Sequence, residues 1–171
     1  MKKQEDVIFR EVQYPRQPLL WIFIIALAAL FWYAFIQQVI FGIPFGDKPA
    51  SNPFLTILWL VFGIAIPLGL LLGFCKLETE VRKDGLYVRY MPFHLHYKSF
   101  LFKDMVQYSS ITYNSLLQFG GWGIRFNLNG DTAYNIGGNK GIELQLRGKG
   151  NGKVVVGSQN PDELIKALNS K

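Results

Sequence analysis

Two histidines, His94 and His96, are separated by one residue, a spacing that places both side chains on the same face of a β-strand. Imidazole nitrogens are common metal ligands, so the pair could supply half of a zinc site. The chain has 2 histidines in all, and neither a cysteine cluster nor a carboxylate lies near them in sequence. A structural role at a strand edge is favoured, and a membrane enzyme that uses His94 and His96 is the least favoured alternative.

Other residues that could carry chemistry lack the partners they would need. Ser109, Ser110 and Ser115 have no accompanying His/Asp constellation. The glycine-rich segment 120–123 lacks the G-x-x-x-x-G-K-[ST] order of a phosphate loop and precedes a strand. Cys75 is the only cysteine, which excludes an intrachain disulfide. We therefore predict no enzymatic activity, no catalytic residues, no cofactor and no metal site.

Three basic residues near a predicted hairpin, Arg82, Lys83 and Arg89, are candidates for contact with a lipid headgroup. Their placement resembles the basic first hairpin of phosphoinositide-binding pleckstrin domains, although the turn here is very short. A solvated basic face beside an anionic membrane leaflet explains the same charges. Both interpretations require the hairpin to lie close to a membrane.

The elements that would position these residues begin with two apolar runs, at about 19–41 and 54–74, which contain no charged residue. An α-helix of roughly 20 residues crosses the hydrocarbon core of a bilayer. The first run is longer than a signal-peptide core and lacks small residues at a cleavage position, which favours a retained anchor. We therefore predict a cytoplasmic tail at 1–17 and a transmembrane hairpin at 18–75.

The second span contains small residues at i+4 spacing, Ala65, Gly69 and Gly73. Such a stripe allows close helix approach, and the first span is the expected partner, with a homodimer contact as the alternative. Pro67 predicts a kink near the middle of this helix. Neither span contains an ionisable side chain for a midplane site, which argues against transport.

Basic residues set the expected orientation. The loop between the spans contains only Lys48, whereas both flanks are richer in lysine and arginine. Because positive residues favour the cytoplasmic side, we predict a multi-pass protein of the cell membrane with both termini in the cytoplasm. The net charge of +6 comes without an arginine-rich run or a basic helical stripe, so no nucleic-acid partner is predicted.

After residue 75 the pattern changes to strict alternation, which predicts a β-hairpin at 77–90 with Asp84-Gly85 at its turn. Further strands are predicted at 98–102, 106–113, 123–127, 132–136, 141–146 and 153–157. Asn160 and Pro161 then begin a helix at about 161–169 with an apolar face. Residues 76–171 are thus expected to form a barrel or sandwich of about seven antiparallel strands capped by a C-terminal helix, as in pleckstrin-homology-like (PH-like) domains.

Three segments carry a resemblance to a known family: Leu77-Glu-Thr-Glu-Val-Arg-Lys-Asp-Gly-Leu-Tyr-Val-Arg-Tyr90, Gly120-Gly-Trp-Gly-Ile-Arg125 and Val156-Gly-Ser-Gln-Asn-Pro-Asp-Glu-Leu164. Together with the two spans, they resemble an uncharacterised prokaryotic family of small two-span membrane proteins with a bacterial PH-like domain. The resemblance covers nearly the whole chain and implies architecture and location. It implies no catalytic residues.

These observations predict a membrane-anchored, non-enzymatic PH-like domain that acts as an interaction or scaffold module at the inner face of the membrane. The expected partners are the lipid bilayer and an unidentified membrane or cytoplasmic protein. The main alternative is a module that binds anionic lipid through its basic hairpin.

Overall fold

The computed structural model of the chain describes residues 7–148 and 152–170. It divides into two units, one formed by Arg16–Phe74 and the other by the residues before and after that stretch. The first six residues of the predicted tail, three residues of the predicted turn near Gly148 and the last residue lie outside the described part.

Two helices form the Arg16–Phe74 unit. Their consecutive segments are α1 (Pro18–Phe35) and a π-helical stretch (Ile36–Ile40), then α2 (Asn52–Leu58), a second π-helical stretch (Trp59–Ala65) and α3 (Ile66–Leu71). As continuous helices they span Pro18–Ile40 and Asn52–Leu71, with 23 and 20 residues. By length and composition, both are long and apolar enough to cross a membrane.

The irregularity in the second helix lies just before Pro67. Proline has no N–H to donate to the carbonyl four residues earlier, which belongs to Gly63. The N–H of Ile66 donates to Val61, five residues back, as in a π-helix. The indole N–H of Trp32 donates to the Gly63 carbonyl oxygen at 3.2 Å. A side chain of the first helix thus supplies a donor where proline removes one.

Four antiparallel strands form the first sheet, in the order β1-β2-β3-β4. They are β1 (Val7–Gln13), β2 (Lys76–Arg82), β3 (Gly85–Met91) and β4 (Lys98–Leu101). The predicted hairpin is confirmed as β2–β3, but its two-residue turn is Lys83-Asp84, because Gly85 already pairs with Arg82. Gly85 has a different role, since a Cβ there would collide with the carbonyl oxygen of Phe100 on β4.

The first strand corrects the prediction that residues 1–17 form a separate tail, because β1 pairs with β2 along most of its length. Its inward-facing polar side chains hold it in place. The carboxylate of Glu11 accepts a hydrogen bond from Ser158 Oγ at 2.6 Å. The amide of Gln13 donates to the carbonyl oxygen of Gly157 at 2.8 Å. From the sequence alone, these polar residues are predicted to be solvated, because their partners lie near the other end of the chain.

Five strands form the second sheet, in the order β5-β8-β9-β7-β6. Its elements are β5 (Met105–Thr112), a short helix α4 (Ser115–Phe119), β6 (Gly123–Phe126), β7 (Thr132–Asn135), β8 (Lys140–Leu146) and β9 (Lys153–Gly157), and a 3₁₀ turn (Phe102–Asp104) precedes β5. β7 and β9 are parallel, because β9 returns from its hairpin with β8 and inserts between β8 and β7. The described residues therefore contain nine strands and one parallel pair, instead of about seven strands that are all antiparallel.

The chain ends in α5 (Pro161–Asn169), as predicted. Its apolar face joins the inner faces of both sheets in one core, whose fully buried members include Leu77, Val81, Leu86, Val88, Ile142, Leu144, Val156, Leu164 and Leu168. Tyr108 of β5 fixes the last turn by donating to the side-chain oxygen of Asn169 at 2.7 Å. The fold is thus two apolar helices with a β-rich unit of two sheets and a C-terminal helix.

Candidate functional site

The charged residues of the β2–β3 hairpin form a network around Glu78, whose side chain is 1% exposed. Lys76 Nζ lies 2.8 Å from Glu78 Oε1. On the other oxygen, Arg89 donates through Nε at 2.9 Å and also through Nη2. The hydroxyl of Tyr97 donates to that oxygen at 2.8 Å. A nearly inaccessible carboxylate is therefore surrounded by donors.

Glu80 forms the second half of this network. Its Oε2 accepts from Arg82 Nε at 3.0 Å and from Nη2 at 2.6 Å. Its Oε1 lies 2.9 Å from the hydroxyl of Tyr97, which therefore stands between the two carboxylates. The Tyr97 ring is flanked by both guanidinium groups, at 5.0 Å for Arg82 and 4.5 Å for Arg89, within cation–π range.

These contacts shift the protonation equilibria. Burial opposes ionisation of Glu78, but hydrogen bonds from Lys76, Arg89 and Tyr97 outweigh it and lower the Glu78 pKa from 4.5 to about 2. Burial and the hydrogen bonds to Glu78 and Glu80 raise the pKa of Tyr97 well above its ordinary value. At neutral pH, Tyr97 keeps its proton and both carboxylates keep their donors.

The three residues considered for headgroup contact lie in this region. Arg82 and Arg89 are bound to Glu80 and Glu78 and stacked on Tyr97. Lys83 occupies the turn. A headgroup phosphate would have to compete with carboxylates that each already accept two hydrogen bonds from one guanidinium group. The structure therefore brings the predicted residues together but commits two of them to internal partners.

The histidines do not share a strand, because residues 92–97 form an irregular connection between β3 and β4. His94 is half-buried, and its ring packs against Tyr134 with centroids 5.8 Å apart. Burial and the nearby Lys98 lower the His94 pKa. His96 is exposed. Within residues 7–148 and 152–170, no three His, Cys, Asp or Glu side chains are grouped so that they could hold a metal ion.

The predicted stripe of Ala65, Gly69 and Gly73 lies apart from the contact between the two apolar helices. Ala65 is exposed, a Cβ on Gly69 would come no nearer than 4.0 Å to any atom outside its own helix turn, and Gly73 follows the helix with a φ of +74°. The contact centres on Gly63, where an added Cβ would lie 3.0 Å from Trp59 and 3.5 Å from Trp32. A homodimer contact through the stripe stays a prediction.

Aromatic rings supply most of this contact. Phe31 stacks on Phe62 and Phe35 stacks on Trp59, with centroids 5.1 and 4.1 Å apart. Large rings can pack closely when one glycine, here Gly63, makes room for them, so the described contact between the helices does not require the stripe of small residues.

A groove of about 1200 Å³ lies across the outer face of the second sheet. Ile111 of β5, Glu143 of β8 and Val155 of β9 line its floor. Helix α4 and its C-terminal end, Phe126 of β6, the loop between β6 and β7, and Lys153 of β9 provide its remaining lining. The groove lies wholly within the β unit and within described residues.

Three large apolar side chains at this groove are exposed. The exposed fractions are 85% for Leu117, 73% for Phe126 and 106% for Leu128. Large apolar side chains that cluster around a concave surface commonly mark an interaction site. We call this surface, formed by Leu117, Phe126 and Leu128 around the floor of Ile111, Glu143 and Val155, the sheet groove.

The loop that bears Leu128 is held in one conformation by its own polar residues. Asn127 Oδ1 accepts from the backbone N–H groups of Asn129 and Asp131 at 3.0 and 2.9 Å. Asp131 in turn accepts from the Asn127 amide at 2.7 Å and from the backbone N–H of Lys153 at 2.8 Å. The exposed leucine is thus presented by a preorganised turn, which lowers the entropic cost of binding.

Sequence reasoning missed the sheet groove, although two signals were present. Helix α4 is bounded by Asn114, whose Oδ1 accepts from the N–H groups of Leu116 and Leu117, and by Gly120 in the left-handed conformation. A five-residue helix is too short to show periodicity. In addition, apolar Leu128 lies in a turn between polar residues, where burial cannot explain it.

A comparison with protein-family models matches residues 1–171 of this chain to DUF6141, a family of unknown function. No curated protein and no solved structure matches the chain. The match covers both the two apolar helices and the β unit. The chain therefore belongs to the DUF6141 family.

Proposed function

We propose that this chain is a membrane-anchored, non-enzymatic interaction module whose β unit binds a protein partner through the sheet groove. The observation that carries the proposal is the exposed apolar group of Leu117, Phe126 and Leu128 around a concave floor, with Leu128 presented by a preorganised turn. A solvent-exposed leucine on a rigid loop serves no packing purpose within the β unit. No reaction is proposed.

We assign the β unit a PH-like architecture. Two sheets that share a core with one C-terminal helix support this assignment. The parallel pairing of β7 with β9 and the additional strand β1 are departures from an all-antiparallel, seven-stranded domain. PH-like domains bind diverse partners on one scaffold, so the function has to be argued from the groove.

We place the protein in the cell membrane as a multi-pass protein with both termini in the cytoplasm. Two helices of sufficient length and the concentration of basic residues outside the connecting loop support this placement. Single-cysteine variants in a Cys75→Ser background test it. An impermeant maleimide should label Asp47→Cys in intact cells and label Ser170→Cys only after permeabilisation. The opposite labelling pattern would reverse the assigned orientation.

The interaction role is tested by photo-crosslinking from the full chain in its native membrane. A photoreactive residue replaces Leu128, and the matched control replaces Leu95, which is 73% exposed but lies outside the sheet groove. We expect a discrete adduct from position 128 and none from position 95. Equal adduct patterns at the two positions, or none at either, would refute a partner at the groove.

The alternative function is contact with anionic lipid through Arg82, Lys83 and Arg89. The position of Lys83 in a tight turn favours it, whereas the ion pairs of both arginines weigh against it. Because β1 belongs to the first sheet, the test requires the full chain. In nanodiscs, amides of the β2–β3 hairpin should exchange more slowly with phosphatidylglycerol than with phosphatidylcholine. Identical exchange in both lipids would eliminate this alternative.

A further inference from the structure

We propose that the loop between β3 and β4, residues 92–97, inserts Phe93 and Leu95 into the interface of the bilayer that holds the two apolar helices. This inference rests on the proposed membrane placement of those helices and is independent of a partner at the sheet groove. Strand register, side-chain exposure, the contacts that hold the loop and the local charge carry it.

Strand register brings both connections to the apolar helices to one end of the first sheet. Gln13, the last residue of β1, pairs with Leu77, and Lys76, the first residue of β2, pairs with Met91 at the end of β3. Residues 14–17 lead from this end into the first apolar helix, and a single residue separates Lys76 from the end of the second apolar run. The chain therefore tethers this end of the sheet at two points.

Covalent geometry keeps the start of the loop close to the second apolar run. Two Cα–Cα steps of about 3.8 Å join Phe74 to Lys76, and paired residues of an antiparallel ladder lie about 5 Å apart. Met91 therefore lies within about 13 Å of Phe74. The Lys83-Asp84 turn lies at the opposite end of the hairpin, about 20 Å from Lys76, because β2 has 7 residues that rise about 3.3 Å each.

Two large apolar side chains are exposed on this loop. Phe93 and Leu95 are each 73% exposed, whereas His94 between them packs its ring against Tyr134. Apolar side chains at a membrane surface bury their area about 5–10 Å deep, at the boundary between headgroups and acyl chains. Because the loop begins beside the chain's own apolar run, the bilayer is the surface available to cover these two side chains.

Contacts on both sides of the exposed residues hold the loop in one conformation. The N–H of His94 donates to the carbonyl oxygen of Tyr90 at 2.8 Å. The hydroxyl of Tyr97 lies 2.8 Å from Glu78 Oε2 and 2.9 Å from Glu80 Oε1. A loop that is already ordered loses less conformational entropy when it inserts.

The charges next to the loop suit a membrane surface. Residues 91–98 contain no aspartate or glutamate and end with Lys98, which is exposed. Residues 14–17 contain Arg16 and likewise no acidic residue. Lysine and arginine beside exposed phenylalanine and leucine are typical of segments that lie in the membrane interface.

Fluorescence quenching tests the insertion with the full chain in phosphatidylcholine nanodiscs. An environment-sensitive dye is attached to His96→Cys in a Cys75→Ser background, and the matched control carries the dye on Lys83→Cys, at the other exposed end of the hairpin. A quencher on the upper acyl chain of the lipid should reduce the emission at position 96 by at least about twofold and leave position 83 unchanged. Equal quenching at the two positions, or none at position 96, would overturn the inference.

A pair of double variants assigns the insertion to the two apolar side chains. Phe93→Ser with Leu95→Ser should reduce the quenching at position 96 by at least about twofold, because the buried apolar area drives insertion. Leu117→Ser with Leu128→Ser removes exposed apolar side chains of the sheet groove and should leave the quenching unchanged. Undiminished quenching in the loop variant would refute this role of Phe93 and Leu95.

A milder variant covers the case in which the double change disturbs the loop. Leu95→Ser alone leaves the Phe93 ring beside Tyr90, with centroids 6.0 Å apart, and should still reduce the quenching at position 96. Unchanged quenching in Leu95→Ser would contradict the insertion of Leu95.

The outcomes separate this inference from the proposed function. If maleimide labelling of Asp47→Cys and Ser170→Cys places the helices in the membrane while the dye at position 96 is not quenched, only the loop insertion is refuted. A photoreactive residue at Leu95 would capture lipid, which adds too little mass to appear as a protein adduct. Position 95 therefore stays a valid control for a protein partner at the sheet groove.

Discussion

Glu11 and Ser158 are joined by a hydrogen bond of 2.6 Å across 147 residues of sequence. The other carboxylate oxygen of Glu11 accepts from the backbone N–H of Gln159 at 2.6 Å, and Ser158 Oγ accepts from the N–H of Asn160 at the start of α5. Strand β1, which precedes the first apolar helix, is thus hydrogen-bonded to the segment that leads into α5. The two apolar helices are inserted within a β unit whose first strand precedes them.

The Glu11 contact predicts a stability effect far from the membrane segments. Glu11→Ala should destabilise the β unit by about 1–3 kcal/mol, because it leaves buried donors without an acceptor. In the same variant, the backbone amides of β1 should exchange their hydrogens faster. Glu163→Ala, on the exposed side of α5, is the control and should change stability by less than about 0.5 kcal/mol. Protected β1 amides in the Glu11 variant would contradict this account.

The bond from Trp32 to Gly63 predicts a different effect within the apolar helices. Trp32→Phe keeps an aromatic ring but removes the indole N–H, and should cost about 0.5–1.5 kcal/mol of helix–helix stability. Trp59→Phe is a matched control, since the structure gives its buried indole nitrogen no hydrogen-bond partner. Thermal unfolding in detergent compares the two. A larger loss of thermal stability in Trp59→Phe than in Trp32→Phe would show that ring packing outweighs the hydrogen bond.

The position of the Tyr97 hydroxyl between Glu78 and Glu80 predicts that this hydroxyl stabilises the charged network. Tyr97→Phe retains the ring between Arg82 and Arg89 but leaves Glu78 and Glu80 facing each other without the shared hydroxyl. We expect a loss of about 1–3 kcal/mol, since hydrogen bonds to charged groups are the stronger class. Tyr87→Phe removes an exposed bond to Asp84 and should have a much smaller effect. Equal losses in chemical denaturation would contradict the prediction.

The lowered pKa of Glu78 predicts an acid dependence with a definite sign. Because the folded pKa is about 2 and the unfolded value is near 4.5, ionised Glu78 stabilises the fold above about pH 4.5. That contribution is lost as the pH falls from 4.5 towards 2. The stability difference between the unmodified protein and Glu78→Gln should therefore be constant from pH 7 to 5 and shrink below that range. A difference that stays constant to pH 3 would refute the assignment.

Much of the β unit could be predicted from local patterns. Alternation placed most strands to within one or two residues, and the Pro161 signal placed α5 as observed, although the Asn160 side chain makes no capping hydrogen bond. Alternation could not identify β1, because Glu11 and Gln13 look like solvated residues until their partners in the distant C-terminal segment are known. For the same reason it could not find the parallel pairing of β7 with β9, which depends on where β9 inserts.

The same distinction applies to the candidate site residues: the sequence located some of them, and the folded structure decided their partners. Sequence spacing located the charges of Arg82 and Arg89, but burial and pairing decided that they hold Glu80 and Glu78. Small residue size in the sequence suggested a packing face at Ala65, whereas in the structure Gly63 lies against Trp32. The sequence alone determined the two apolar helices, the β class and the last helix, since these follow from composition and short-range periodicity. Only the tertiary structure determined the closed charge network and the sheet groove, because both are made by residues that folding brings together from separate strands.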